Sequence, residues 1–86
     1  MPTISMFFGI IISMRFQEHN PPHFHALYQG KEALFDILSC ELSEGNFPPR
    51  QRKMVEAWCT IHQEELLADW ALAQDHQELF RIDPLK

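Results

Sequence analysis

Eighty-six residues, read as one domain over 1–86, are enough to hide roughly 60% of the surface an unfolded chain exposes. Hydrophobic residues make up 45%, with seven Phe and two Trp, which excludes a disordered chain. A net charge of −5 argues against a dominant electrostatic grip on nucleic acid, although a local basic patch stays compatible with it.

The apolar stretch Met6 to Met14 has the length of a signal core, but no positive charge precedes it and no small-residue cleavage site follows. It is also too short to span a bilayer. Cys40 and Cys59 lack CxxC spacing, so two free thiols in a reducing, cytoplasmic setting are expected. Met6, Phe7 and Phe8 read as strand core; exposed, they would make an adhesive patch. Phe8 to Phe16 reads as one strand, with Ile10, Ile12, Met14 and Phe16 on one face and Ile11, Ser13 and Arg15 on the other. Gln17 to Pro22, with adjacent prolines, must be a loop.

His23 to Tyr28 and Glu32 to Leu38 read as a hairpin turning at Gln29-Gly30. That pairing sets Phe24 opposite Phe35, Ala26 opposite Ala33, and His23 opposite Asp36. One face then carries Phe24, Ala26, Tyr28, Ala33, Phe35 and Ile37, suited to packing under helices. The other carries His23, His25, Leu27, Glu32, Leu34 and Asp36. A turn at Ser39-Cys40 leads to a short strand, Glu41 to Gly45.

The rest is helical. Pro48-Pro49 suits a helix start. Met54, Val55, Trp58, Ile61 and His62, then Leu66, Trp70 and Ala73, recur at three- and four-residue spacing. One continuous helix would set Arg50, Arg52 and Lys53 at its positive end and Asp69 and Asp75 at its negative end, both against the macrodipole. A restart at His62 instead puts Glu64 and Glu65 in a favourable first turn, with Glu65 as a capping-box acid and Ile61 stapling Leu66. Two helices are therefore expected, with Arg81 to Leu85 as a docking tail. The fold class is α+β: an antiparallel sheet of three to four strands followed by two C-terminal helices packed on one face.

The chemically suggestive segment is His19-Asn20-Pro21-Pro22-His23-Phe24-His25. Side chains two apart on a strand point the same way, so His23 and His25 could share a divalent, zinc-like metal or a phosphate. His19 could close over them as a third metal ligand. Asp36 is placed as another ligand or as the carboxylate that fixes an imidazole tautomer. Arg15, by alternation, faces the same side. As an enzyme site, His23 and His25 would be base and acid, and Arg15 would steady phosphate charge. The plainer reading is a structural His–Asp pair, since H-x-H alone matches no zinc signature. Arg50-Gln51-Arg52-Lys53 is a second candidate, where an anion or acidic partner could offset cations in a first helical turn. Trp58 and Trp70 read as core anchors, and His62 and His76 as a helix-end and a surface residue.

Met1-Pro2-Thr3-Ile4-Ser5, the block from His19 to Ala26 with Tyr28, Trp58-x-x-x-His62-x-x-Glu65-Leu66, Trp70 and Ile82-x-Pro84-Leu85 together resemble a bacterial family, the domain of unknown function 4160. The resemblance implies a small stand-alone protein, often encoded beside a domain of unknown function 2442 protein in a toxin–antitoxin-like pair. No catalytic residue comes with it. Three functions follow as expectations: an interaction module for a small protein encoded nearby, a small endoribonuclease using the His23/His25 face, and a metal-binding protein. No membrane partner is expected. Exposed sheet edges are compatible with a homodimer.

Overall fold

The computed structural model describes residues 2–86. Among these residues five strands, β1 (Thr3–Phe7), β2 (Ile10–Ser13), β3 (His23–Tyr28), β4 (Lys31–Asp36) and β5 (Glu41–Gly45), form one antiparallel sheet in chain order. Two helices follow, α1 (Pro49–Ile61) and α2 (Gln63–Gln74).

The fifth strand corrects the expected three to four. The expected strand Phe8 to Phe16 opens in a turn and continues as β2, with β1 ahead of it: Phe8 and Gly9 both take positive φ, 49° and 78°, and Phe7 pairs with Ile10 across the turn. Two consecutive left-handed residues are the turn that matches strand twist, and Asn-Gly is its usual sequence. Phe-Gly conceals it. Ile10, Ile12 and Met14 are fully buried, as alternation requires, but Phe16 lies beyond the strand and is 37% exposed.

The second hairpin follows its expected register. His23 faces Asp36, Phe24 faces Phe35 and Ala26 faces Ala33, with Gln29 and Gly30 at positive φ. Downstream, Gly45 (φ 89°) cannot be replaced without a shift, because a β-carbon there would meet the Glu32 carbonyl oxygen at 2.6 Å.

The core lies between the helices and one face of the sheet. Trp58, fully buried on α1, packs against Phe7 and Phe24 at ring-centroid distances of 5.4 and 5.7 Å. Phe24 stacks on Phe35 at 5.5 Å, and Phe47 closes that end edge-on at 5.7 Å. The indole N–H of Trp58 donates to the Asp83 carbonyl at 2.8 Å. The Ile82 N–H donates to the Ile4 carbonyl at 2.8 Å, so the tail docks on β1 with Ile82 buried.

The helix break falls at His62, which ends α1 and begins α2. Glu64 and Glu65 occupy the first turn of α2, on the favourable side of the macrodipole. The Glu65 carboxylate meets the His62 ring at 2.6 Å rather than closing a backbone capping box. Ile61 is 65% exposed, so it makes little of a staple. Among the described residues, no helix is long and apolar enough to cross a membrane.

A histidine–carboxylate cluster as candidate functional site

The outer face of the sheet begins with the alternation of β3. Phe24 and Ala26 turn into the core, so His23 and His25 must point the other way. Neither is left in open solvent. His25 is 4% exposed, lying opposite Ser13 on β2 and Leu34 on β4. The loop from Arg15 to Pro22 folds over this face and brings Glu18 onto both rings.

That loop is fastened by the end of α2. The Gln17 N–H donates to the Ala73 carbonyl at 3.3 Å, and the Gln74 side-chain amide donates to the Glu18 carbonyl at 2.8 Å. Phe16 stacks on His76 at 5.6 Å. At the loop's far end the Ile37 N–H donates to the Pro22 carbonyl at 2.9 Å, and the Asn20–Pro21 peptide is cis. Trp70 of α2 packs beside His23 at 5.2 Å.

The resulting contacts converge on one oxygen. Glu18 Oε1 lies 3.0 Å from His23 Nε2 and 2.8 Å from His25 Nε2. Each ring is held from behind as well. His23 Nδ1–H donates to the Pro21 carbonyl at 2.9 Å, and His25 Nδ1–H donates to Glu32 Oε2 at 3.1 Å. Arg15 Nη2 donates to the same Glu32 oxygen at 3.4 Å. Burial pushes the Glu18 carboxyl up, but hydrogen bonds and charge from His25 and His23 outweigh it, and the net shift is downward from the ordinary value.

Counting hydrogens exposes what this geometry asks for. A carbonyl only accepts, so the Nδ1 of His23 must carry its hydrogen. If Glu32 is ionised, the same holds for His25. Both Nε2 atoms then present lone pairs to a carboxylate oxygen unless something positive lies between them. Two protons would serve, and so would one divalent cation. Among the described residues, the group of metal-ligating types close enough to act together is Glu18, His23 and His25, with ligand atoms within 4.8 Å of one another.

The sequence-based candidates divide accordingly. His23 and His25 come together. Arg15 reaches the cluster through Glu32 and has further contacts of its own. Asp36 lies across from His23 in register, but its carboxylate accepts the Leu38 and Ser39 N–H groups at 2.8 and 3.0 Å, so it shapes the turn after β4 instead of fixing an imidazole. His19 is exposed and stands outside the ligand group, on the rim of a 280 Å³ cleft shared with His23, Leu34 and Glu44. The third donor is its neighbour Glu18. A second cleft of 260 Å³, lined by Arg15, His25, Glu32, Leu34 and Glu44, opens on the other side of Leu34. Arg52, in the basic stretch, pairs with Glu56 one turn on at 3.1 Å.

Alternation had already placed Glu32 on this face, diagonal to His25, where cross-strand side chains can meet. Glu18 carried no such signal, because a loop residue has no periodicity to give it a direction.

The chain is thus a small α+β protein with a histidine–carboxylate cluster on the open face of its sheet. The family model described as "Domain of unknown function (DUF4160)" matches residues 9–71, and the chain belongs to that family. The matched span runs from the first hairpin into α2 and contains every member of the cluster. No curated protein and no solved structure matches the chain.

Proposed function

We propose that this protein binds a divalent transition metal through Glu18 and the Nε2 atoms of His23 and His25. The observation that carries the reading is the convergence of both Nε2 atoms on Glu18 Oε1 while both Nδ1 atoms are held from behind. Metal-ligating histidines usually donate their other ring N–H to a carbonyl or carboxylate, which fixes the tautomer and strengthens the ligand. Pro21 and Glu32 are partners of those two kinds. Two imidazoles and one carboxylate suit zinc, iron or a neighbouring first-row ion at about 2.0–2.2 Å from each donor. Three protein ligands leave coordination positions for water or a substrate, and the flanking clefts give access to them. Metal analysis of untagged protein tests the reading: near-stoichiometric metal is expected in the wild type and none in His23→Ala/His25→Ala. Absence of metal from a folded wild type offered zinc and iron would overturn it.

The expected interaction module for a neighbouring small protein, in a toxin–antitoxin-like pair, has one observation in its favour. Met6, Ile11 and Leu27 face one another across three strands on the open side of the sheet, and Met6, Leu27 and the nearby Phe8 are 52%, 40% and 60% exposed. Co-expression with the adjacent small protein should yield a stable complex that Met6→Lys weakens. Separate elution of the two chains would sink it. The endoribonuclease reading has less behind it, since both histidines address one carboxylate and do not oppose each other across a substrate.

A further inference from the structure

On the helix side of the sheet, away from the histidines, two thiols meet. Cys40 closes the turn after β4, and Cys59 lies on α1. Both are free and buried, at 9% and 0% exposure. Their S–H groups address the same acceptor, the Ile37 carbonyl oxygen, with Sγ at 3.5 Å for Cys40 and 4.0 Å for Cys59.

Two further features distinguish this contact from ordinary packing. Cys40 holds a left-handed backbone, φ 57°. Residues with a β-carbon pay roughly 1–2 kcal/mol for that conformation, and glycine or asparagine is the usual occupant. Backbone preference therefore does not select a cysteine here, and its sulfur lies on the Ile37 carbonyl that Cys59 also addresses. In addition, the Ile37 carbonyl accepts the Gln63 side-chain amide at 2.7 Å. Losing both S–H donors would leave that buried carbonyl satisfied.

We propose that Cys40 and Cys59 form a reversible disulfide under oxidising conditions, tying the β4–β5 turn to α1. With glutathione disulfide as oxidant, the Cys40 thiolate attacks one sulfur and expels a glutathione thiolate, giving a mixed disulfide. The Cys59 thiolate then attacks the Cys40 sulfur and expels the second glutathione. Two electrons pass from the cysteines to the oxidant, and the two thiol protons end on the two released glutathione molecules. Burial and the Cys40 neighbour push the Cys59 thiol well above its ordinary range. The closed protein should therefore react slowly, and faster when mild denaturant opens the turn.

The experiment exposes the intact chain to glutathione disulfide, in buffer and in urea below the unfolding transition, and then records its mass without reductant. The expected product has lost two hydrogens and yields a cross-linked Cys40–Cys59 peptide. Closing a loop of about 20 residues should raise the melting temperature by on the order of 10 °C, reversed by dithiothreitol. Cys59→Ala, which avoids a buried hydroxyl, should stop at the mixed disulfide on Cys40. A wild type that gains only glutathione adducts, or stays unmodified in both conditions, would overturn the proposal.

Discussion

The two sides of β3 are built from alternate residues of one strand and are held by different forces. Phe24 and Ala26 are fully buried among Trp58, Phe35 and Ile12, where stabilisation scales with the apolar area removed from water. His23 and His25, one residue away on either side of Phe24, are held by directed bonds to Glu18, Glu32 and a loop carbonyl. Volume governs the first side and charge the second. A small domain with one sheet can therefore keep a dry core and still present a preorganised polar site, because the pleat separates the two.

The largest expected break comes on the apolar side. Trp58→Ala removes the ring that touches Phe7 and Phe24 and the N–H that anchors the tail at Asp83. Truncating a buried aromatic costs about 3–5 kcal/mol, a large share of the roughly 5–15 kcal/mol that holds a typical domain folded. Urea denaturation should show a strongly lowered midpoint, and a cost under about 1 kcal/mol would contradict the central role given to Trp58.

The apolar side was also the more legible in the sequence. Period-two alternation on β3 and β4 gave the pairing of Phe24 with Phe35 and the face that helices cover, and the charges around His62 located the break between α1 and α2. Alternation speaks only for residues inside strands. It placed His23, His25 and Glu32 on one face but was silent on Glu18, whose direction comes from Ala73 and Gln74 holding its loop from more than fifty residues away. Asp36 shows the opposite failure: its face was right, but its carboxylate was drawn to the local N–H groups of Leu38 and Ser39. The first hairpin carries no turn signal in its sequence, because Phe8 is an unusual occupant of a left-handed turn position.

One group in the helix layer follows neither rule, and it gives the finer test of the comparison. Asp69 on α2 is fully buried; its Oδ1 accepts the Phe80 N–H at 3.1 Å, and its Oδ2 has no partner. Burial pushes its carboxyl up to about 6; the Phe80 N–H opposes this and the Glu65 charge adds to it. Glu18 is displaced the other way by its imidazoles. The signs follow from proton linkage. Asp69 binds its proton more tightly when folded, so its contribution is full below about pH 4 and is lost as pH rises through about 6. The Glu18 contribution is present above its ordinary value of 4.5 and is lost as pH falls through its depressed folded value. The Asp69 contribution thus favours acid, while the Glu18 contribution requires an ionised Glu18. Asp69→Asn keeps an acceptor for Phe80 and removes the charge, so it should stabilise the protein by about 1–2 kcal/mol near pH 7, with the gain fading toward pH 4. Thermal melts across that range read the difference directly. A gain that persists unchanged at pH 4 would mean that shape, not charge, sets the cost of Asp69, and the helix layer would then answer to volume throughout.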